Sequence, residues 1–203
     1  MKKLYVGVLI WSFALAPIRT VSPCAQGSSK LEDRIKQILL YQPDVGEDYD
    51  IRTKITELGR EIEVRQVLIS FLSAYRYPEN TMEELFLDGA VFMLGELKAK
   101  EAQGALSQIL LDSTADRRTR AWAAKSLGQI DVDANKDVLL EALRPRQYHL
   151  IRINAADALA NTKDPKVLTA LDRYSREERE NYVRQRLQKA TDKLRARLKL
   201  YEK

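Results

Sequence analysis

Arg120-Ala121-Trp122-Ala123-Ala124-Lys125-Ser126-Leu127-Gly128 and Arg152-Ile153-Asn154-Ala155-Ala156-Asp157-Ala158-Leu159-Ala160 are two copies of one pattern, 32 residues apart. Each holds an Arg, a pair of Ala and a Leu at the same places. Working outward, Leu58-Gly59 and Leu94-Gly95 precede Leu127-Gly128, and Leu159-Ala160 follows, with leucine spacings of 36, 33 and 32. A period in this range marks stacked supersecondary units, none of which can bury its apolar faces alone. Arg184 continues the 32-residue step, but the Ala-Leu portion after it is lost, as in a terminal cap.

The units read as helices. Apolar residues recur three and four apart in Leu31, Ile35, Ile38 and Leu39, and in Val64, Val67, Leu68, Phe71 and Leu72. They do so again in Val183, Leu187, Ala190, Leu194, Leu198 and Tyr201. Second helices after the two clear copies carry Val138, Leu139, Leu140 and Leu143, then Val167, Leu168 and Leu171. Asn80 with Glu83, Asp116, and Asp164 before Pro165 supply helix starts. Gly59, Gly95 and Gly128 are expected to end helices in the left-handed conformation and to allow a tight reversal. Paired Ala residues would let helix backbones approach, with Leu filling the core one turn later.

The Arg-x-x-Ala-Ala-x-x-Leu-Gly core at 120–128, matched at 152–160 except for Ala160, with weaker copies at 87–95 and 51–59 that keep Leu-Gly but lack the Arg and the Ala pair, resembles the HEAT-repeat superfamily. The likeness is to its short bacterial variety, also found in phycobilisome lyase-like proteins, and covers about residues 50–192. It implies an all-α, right-handed α-solenoid of four to five helical hairpins. Its motif residues are packing residues and name no activity. The likeness to phycobilisome lyases implies, as one alternative, an enzyme acting on bilin chromophores. An export signal argues against that alternative, because phycobilisomes are cytoplasmic.

The first 27 residues read as a secretory signal peptide. Lys2 and Lys3 precede an apolar run over 4–18, and Ala25-Gln26-Gly27 offers small residues before a cut at Ser28. Val21-Ser22-Pro23-Cys24 offers a second reading, a lipidated Cys24, although Pro23 stands where a small residue is usual. The expected location is the periplasm or the outside of a bacterium. Four segments follow: a signal peptide over 1–27, an N-terminal helix and linker over 28–49 with the helix at 29–41, a repeat array over 50–175, and a basic capping helix over 176–203.

The whole chain of 203 residues holds 34 Lys and Arg against 29 Asp and Glu. Lys2, Lys3 and Arg19 fall in the signal segment, so the remainder is almost balanced, and net charge makes no case for nucleic acid. The charge is polarised, however. Residues 28–175 hold 21 basic and 24 acidic residues, whereas 176–203 hold 10 and 5. One His and one Cys exclude a self-contained Cys/His zinc site and a disulfide framework. No nucleotide-binding, hydrolase or metalloprotease motif is present, and no cofactor is expected.

Four features are candidates. His149 sits at a helix entry between Tyr148 and Leu150 and reads as a surface or cap residue. Asp131-Val132-Asp133-Ala134-Asn135-Lys136-Asp137 begins like a calcium loop, but Lys136 and Ala142 stand where Gly and Glu are needed. It reads as a turn that caps the next helix. Arg120, Arg152 and Arg184 read as ties to a carboxylate of a neighbouring repeat, such as Asp157. Freed, they would form a ladder for an acidic partner or phosphate groups. Arg186, Lys189, Lys193 and Arg197 give the last helix a basic face that could meet an anionic membrane surface or nucleic acid.

The expected function is a non-catalytic, exported protein-binding or scaffold module, monomeric, using a concave surface of second helices. Lys136, Glu141, Arg144, Lys166 and Arg173 are its expected partner-binding residues. The rival is a binder of anionic surfaces or nucleic acid through the basic last helix.

Overall fold

The computed structural model describes residues 23–40, 50–59 and 61–201. Residues 1–22, which hold most of the expected signal peptide, lie outside them, as do the linker 41–49 and the side chains of Cys24 and Tyr201. Among the described residues there are helices and turns but no strand. Helix α1 (Pro23–Leu40) is followed by four hairpins: α2 (Ile51–Glu57) with α3 (Glu61–Ala74), α4 (Thr81–Glu96) with α5 (Gln103–Leu111), α6 (Arg117–Asp131) with α7 (Lys136–Ala142), and α8 (His149–Leu159) with α9 (Lys166–Glu177). A 3-10 turn, Lys100–Ala102, leads into α5, and α10 (Asn181–Tyr201) closes the stack. This is an all-α solenoid of the expected kind.

The starts are capped as their sequences require. Asn80 accepts the Glu83 N–H at 3.0 Å, while Glu83 reaches back to the Glu79 N–H at 2.8 Å. Asp116 accepts from Arg118 at 2.7 Å and Thr119 at 3.3 Å. Asp164 accepts the Lys166 N–H at 2.9 Å. The helix expected over 29–41 runs instead over Pro23–Leu40, with Pro23 at the first position, where no N–H is needed. Leu31, Ile35 and Leu39 dock it.

The first helices α4, α6, α8 and α10 form one row, each packed directly on the next. Each second helix packs mainly on the first helix of the following hairpin: α3 on α4, α5 on α6, α7 on α8, α9 on α10. The hairpins therefore interlock, and their apolar faces make one continuous core. Ala123, Ala124, Leu127, Ala155, Ala156 and Leu159 are all buried in it.

Two glycine expectations are corrected. Gly59 does take the left-handed conformation, at φ 62. Gly95 and Gly128 do not; they lie inside α4 and α6. A β-carbon on Gly95 would sit 2.5 Å from the Ser126 hydroxyl, and one on Gly128 would overlap the Ala158 methyl. These glycines serve close helix approach along the row, not chain reversal.

The last element also starts later than expected. Helix α9 runs to Glu177, and α10 begins at Asn181, not at 176. Glu178 is extended there, and its carboxylate pairs with buried Arg152 at 2.9 Å. Val183, Leu187, Ala190 and Leu194 are buried as the seam requires. Ala190 and Thr191, also buried, stand where Ser126-Leu127 and Ala158-Leu159 stand in the earlier copies. The terminal helix thus keeps the repeat's packing register.

Candidate functional site

The outward side of the first-helix row carries a mostly apolar groove with a polar rim. About 590 Å³ in volume, it runs across α6 and α8. The repeat places its residues: Ala123-Ala124 and Ala155-Ala156 turn inward, so Trp122, Lys125 and Gln129 turn outward, beside Leu150, Asn154 and Asp157. Trp122 is half-buried and meets Phe92 of α4 edge-on, with ring centroids 5.6 Å apart. The Lys125 ammonium lies 5.0 Å from the Trp122 ring and 5.2 Å from that of Phe92. Leu150 is 38% exposed at the groove's edge.

Polar ties fix the rim. Gln129 donates to Glu96 at 2.5 Å, and Asn154 to the Ala121 carbonyl at 2.8 Å. Asp157 pairs with Arg186 of α10 at 2.5 Å. The groove is therefore an apolar centre on a rigid helix row, bounded by held polar groups. Its residues were not among those expected from sequence. The signal was present in the helical spacing of Trp122, Lys125 and Gln129 and of Leu150, Asn154, Asp157 and Asn161, which gives Trp122 and Leu150 an outward face.

The five residues expected from sequence lie on or beside α7 and α9. Lys136 pairs with Asp164 of the next hairpin at 2.5 Å. That contact raises the pKa of the lysine and lowers that of the carboxylate. Lys166 is exposed and meets the same Asp164 through its backbone. Glu141 and Arg144 pair with each other at 2.6 Å, and Arg146 joins them at 3.3 Å. Arg173 is exposed, with its guanidinium 4.9 Å from the Tyr174 ring. The structure brings Glu141 to Arg144, and Lys136 to Lys166 through Asp164; it joins Arg173 to none of them.

The arginine series is a set of ties, but not to the expected carboxylate. Asp157 belongs to Arg186. Arg152 is buried and pairs with Glu178 and Glu180, each at 2.9 Å, while also donating to the Pro145 and Gln147 carbonyls. Arg120 is buried and donates to the Leu110 carbonyl at 3.0 Å and the Gln147 side chain at 2.6 Å. Burial pushes its pKa down. Arg184 is exposed and donates to the Glu178 carbonyl at 2.9 Å.

The segment 131–137 is a turn tied to the next repeat. Asp133 accepts from the Thr162 hydroxyl and from the Lys163 N–H. Asn135 makes no cap to α7; its side chain donates back to the Leu127 and Asp131 carbonyls. His149 opens α8, its ring 4.1 Å from that of Tyr148. No group of three or more metal-ligating side chains occurs among the described residues. No helix among them is long and apolar enough to cross a membrane. On α10, Lys189, Lys193 and Lys199 are exposed, while Arg195 pairs with Asp192 at 2.7 Å.

Residues 79–152 match a family model described as HEAT repeats. The match spans α4 through the start of α8, the part of the stack that carries Phe92 and Trp122. No curated protein and no solved structure matches the chain.

Proposed function

Because this chain belongs to the HEAT-repeat superfamily, whose repeats generally mediate protein binding or scaffolding, we propose that it is a non-catalytic module that docks a protein partner on its first-helix row. The observation that carries this reading is the half-buried Trp122, packed edge-on against Phe92 and lining one groove with Leu150, Lys125, Gln129, Asn154 and Asp157. A rigid aromatic anchor inside a polar rim is the arrangement on which binding energy concentrates. An apolar side chain of the partner would sit beside Trp122, and the rim would set its orientation.

The second-helix residues make a rival face. It is less suited, because Lys136, Glu141 and Arg144 are already engaged in ion pairs within the chain. Export is part of the proposal and rests on residues 1–27. Leu31, Ile35 and Leu39, which dock α1, all follow the expected cut, so cleavage would leave that docking in place.

The test uses the tagged precursor in its native host, with fractionation, cross-linking and mass spectrometry. One reproducible partner in the exported fraction, lost with Trp122→Ala and Leu150→Asp, is the expected result. Loss with Lys136→Glu, Arg144→Glu and Arg173→Glu instead would move the partner to the second helices. An unprocessed cytoplasmic protein would remove export from the reading.

The exposed Lys189, Lys193 and Lys199 favour one second reading, contact of α10 with an anionic surface. It predicts binding to anionic vesicles that weakens steeply with salt and disappears when these three are changed to Glu.

A further inference from the structure

Arg120 and Arg152 hold the same place in successive repeats and are both buried, at 6% and 4% exposure. Their charges are treated differently. Arg152 has two carboxylates, Glu178 and Glu180, each at 2.9 Å, from the loop before α10. One repeat earlier, the loop before α8 carries Arg146 and Tyr148 at the matching positions. Among the described residues Arg120 therefore has no ion pair. Its two hydrogen-bond partners are neutral, and Nη1 has none and is not sealed from solvent. The nearby carboxylate, Asp112, is spent on Arg76, Tyr77 and Thr114.

Arg120 opens onto a polar groove of about 670 Å³ that Arg117 and Arg146 also line. Among the described residues Arg117 makes no ion pair, and it lies over the Tyr148 ring at 5.4 Å. Arg146 has only a 3.3 Å share of Glu141, and its side chain is 71% exposed. Asp116, the acid in the lining, is committed to capping α6. A buried guanidinium that makes no ion pair among the described residues thus faces a groove lined by two further arginines, one over the Tyr148 ring and one in an exposed pair with Glu141.

We propose that this groove binds a carboxylate supplied in trans, an Asp or Glu side chain of an acidic segment on the partner. It would take against Arg120 the place that Glu178 and Glu180 take against Arg152 within the chain. The site rests on the protein-binding reading but not on the Trp122 groove. Arg120 would supply the desolvated charge, and Arg117 and Arg146 would close over the carboxylate as charge-assisted donors. A free phosphate would satisfy the same donors.

The test titrates fluorescein-labelled hexaglutamate and hexaglutamine into the full chain, with inorganic phosphate as competitor. Hexaglutamate should bind at least about tenfold more tightly than hexaglutamine, as a charge-assisted contact requires. Arg146→Glu rebuilds the Glu178 arrangement within the chain; it should abolish peptide binding while raising the melting temperature. Lys163→Glu, an equal charge change outside the groove, should leave the affinity within about twofold. Trp122→Ala should also leave it unchanged, which separates failure of this site from failure of the first-helix groove. Equal binding of the two peptides, or equal loss in Lys163→Glu and Arg146→Glu, would overturn the proposal. So would saturation by phosphate without peptide binding, which would identify a free anion as the ligand.

Discussion

Gly128 faces Ala158 with no space for a methyl group: a β-carbon there would overlap the Ala158 Cβ and lie 3.1 Å from its Cα. The contact sets the separation of α6 and α8, and Gly95 against Ser126 does the same for α4 and α6. The rigid first-helix row, and with it the groove around Trp122, depends on these two approaches.

Gly128→Ala should therefore destabilise the fold by about 1–3 kcal/mol, the range for overpacking. Adding Ala158→Gly should restore part of the loss. Gly104→Ala, where nothing lies within 4 Å of the added carbon, should instead be neutral or stabilising by roughly 0.5–1 kcal/mol. Urea denaturation of the three variants decides this; equal effects at 104 and 128 would refute the contact argument.

Removing Arg152 strands a carboxylate. The Glu178 side chain is 8% exposed and pairs with Arg152 at 2.9 Å. Arg152→Met should cost about 3–5 kcal/mol, as does breaking a buried pair from one side. Glu178→Gln in the same chain should recover a large part. Lys54→Ala, which breaks the exposed pair with Glu57, should change stability by less than about 0.5 kcal/mol. Denaturation midpoints for these variants provide the comparison.

Asp112 links stability to pH. The Thr114 hydroxyl and N–H hold its carboxyl well below the ordinary carboxylate range, with Arg76 and Tyr77 adding to the effect. A depressed folded pKa means that the unfolded chain takes up the proton first as pH falls. The contribution is thus complete above the ordinary value of about 4 and is lost progressively below it. The stability gap between the native chain and Asp112→Asn should be constant above about pH 5 and narrow as pH falls below about 4. A gap that stays constant on acidification would show that Asp112 acts through packing alone.

Lys36 anchors α1. Its ammonium lies 5.5, 5.7 and 5.6 Å from the rings of Phe71, Tyr75 and Phe86, and it pairs with Glu32 at 2.6 Å. Its pKa is raised by Glu32 and Tyr75. Lys36→Gln should lose about 1 kcal/mol, the scale of a partly desolvated cation–π contact. Amide exchange should quicken across 30–40 while protection of α6 and α8 is retained. Uniform loss of protection would show that α1 and the repeats unfold as one unit.

Leucine, alanine and arginine recurring at steps of 32 and 33 were enough to read the solenoid, its hairpins and most helix starts. Those features are local: periodicity places apolar groups on one helix side, and a cap acts within a single turn. The sequence by itself also showed that Gly95, Gly128, Arg120 and Arg152 repeat. Their roles came only with the tertiary structure. The partner of Gly128 is Ala158, and the partners of Arg152 are Glu178 and Glu180, all on other elements of the stack. Lys136 looked free in sequence and proved paired, because stacking brings Asp164 of the next hairpin to it, whereas Arg144 pairs locally with Glu141 three residues earlier. The missing counter-ion of Arg120 was decided by contacts across repeats as well. Repeat spacing specifies which residues are equivalent, but contact across repeats depends on how far apart the helices settle, and small residues buried between them set that distance.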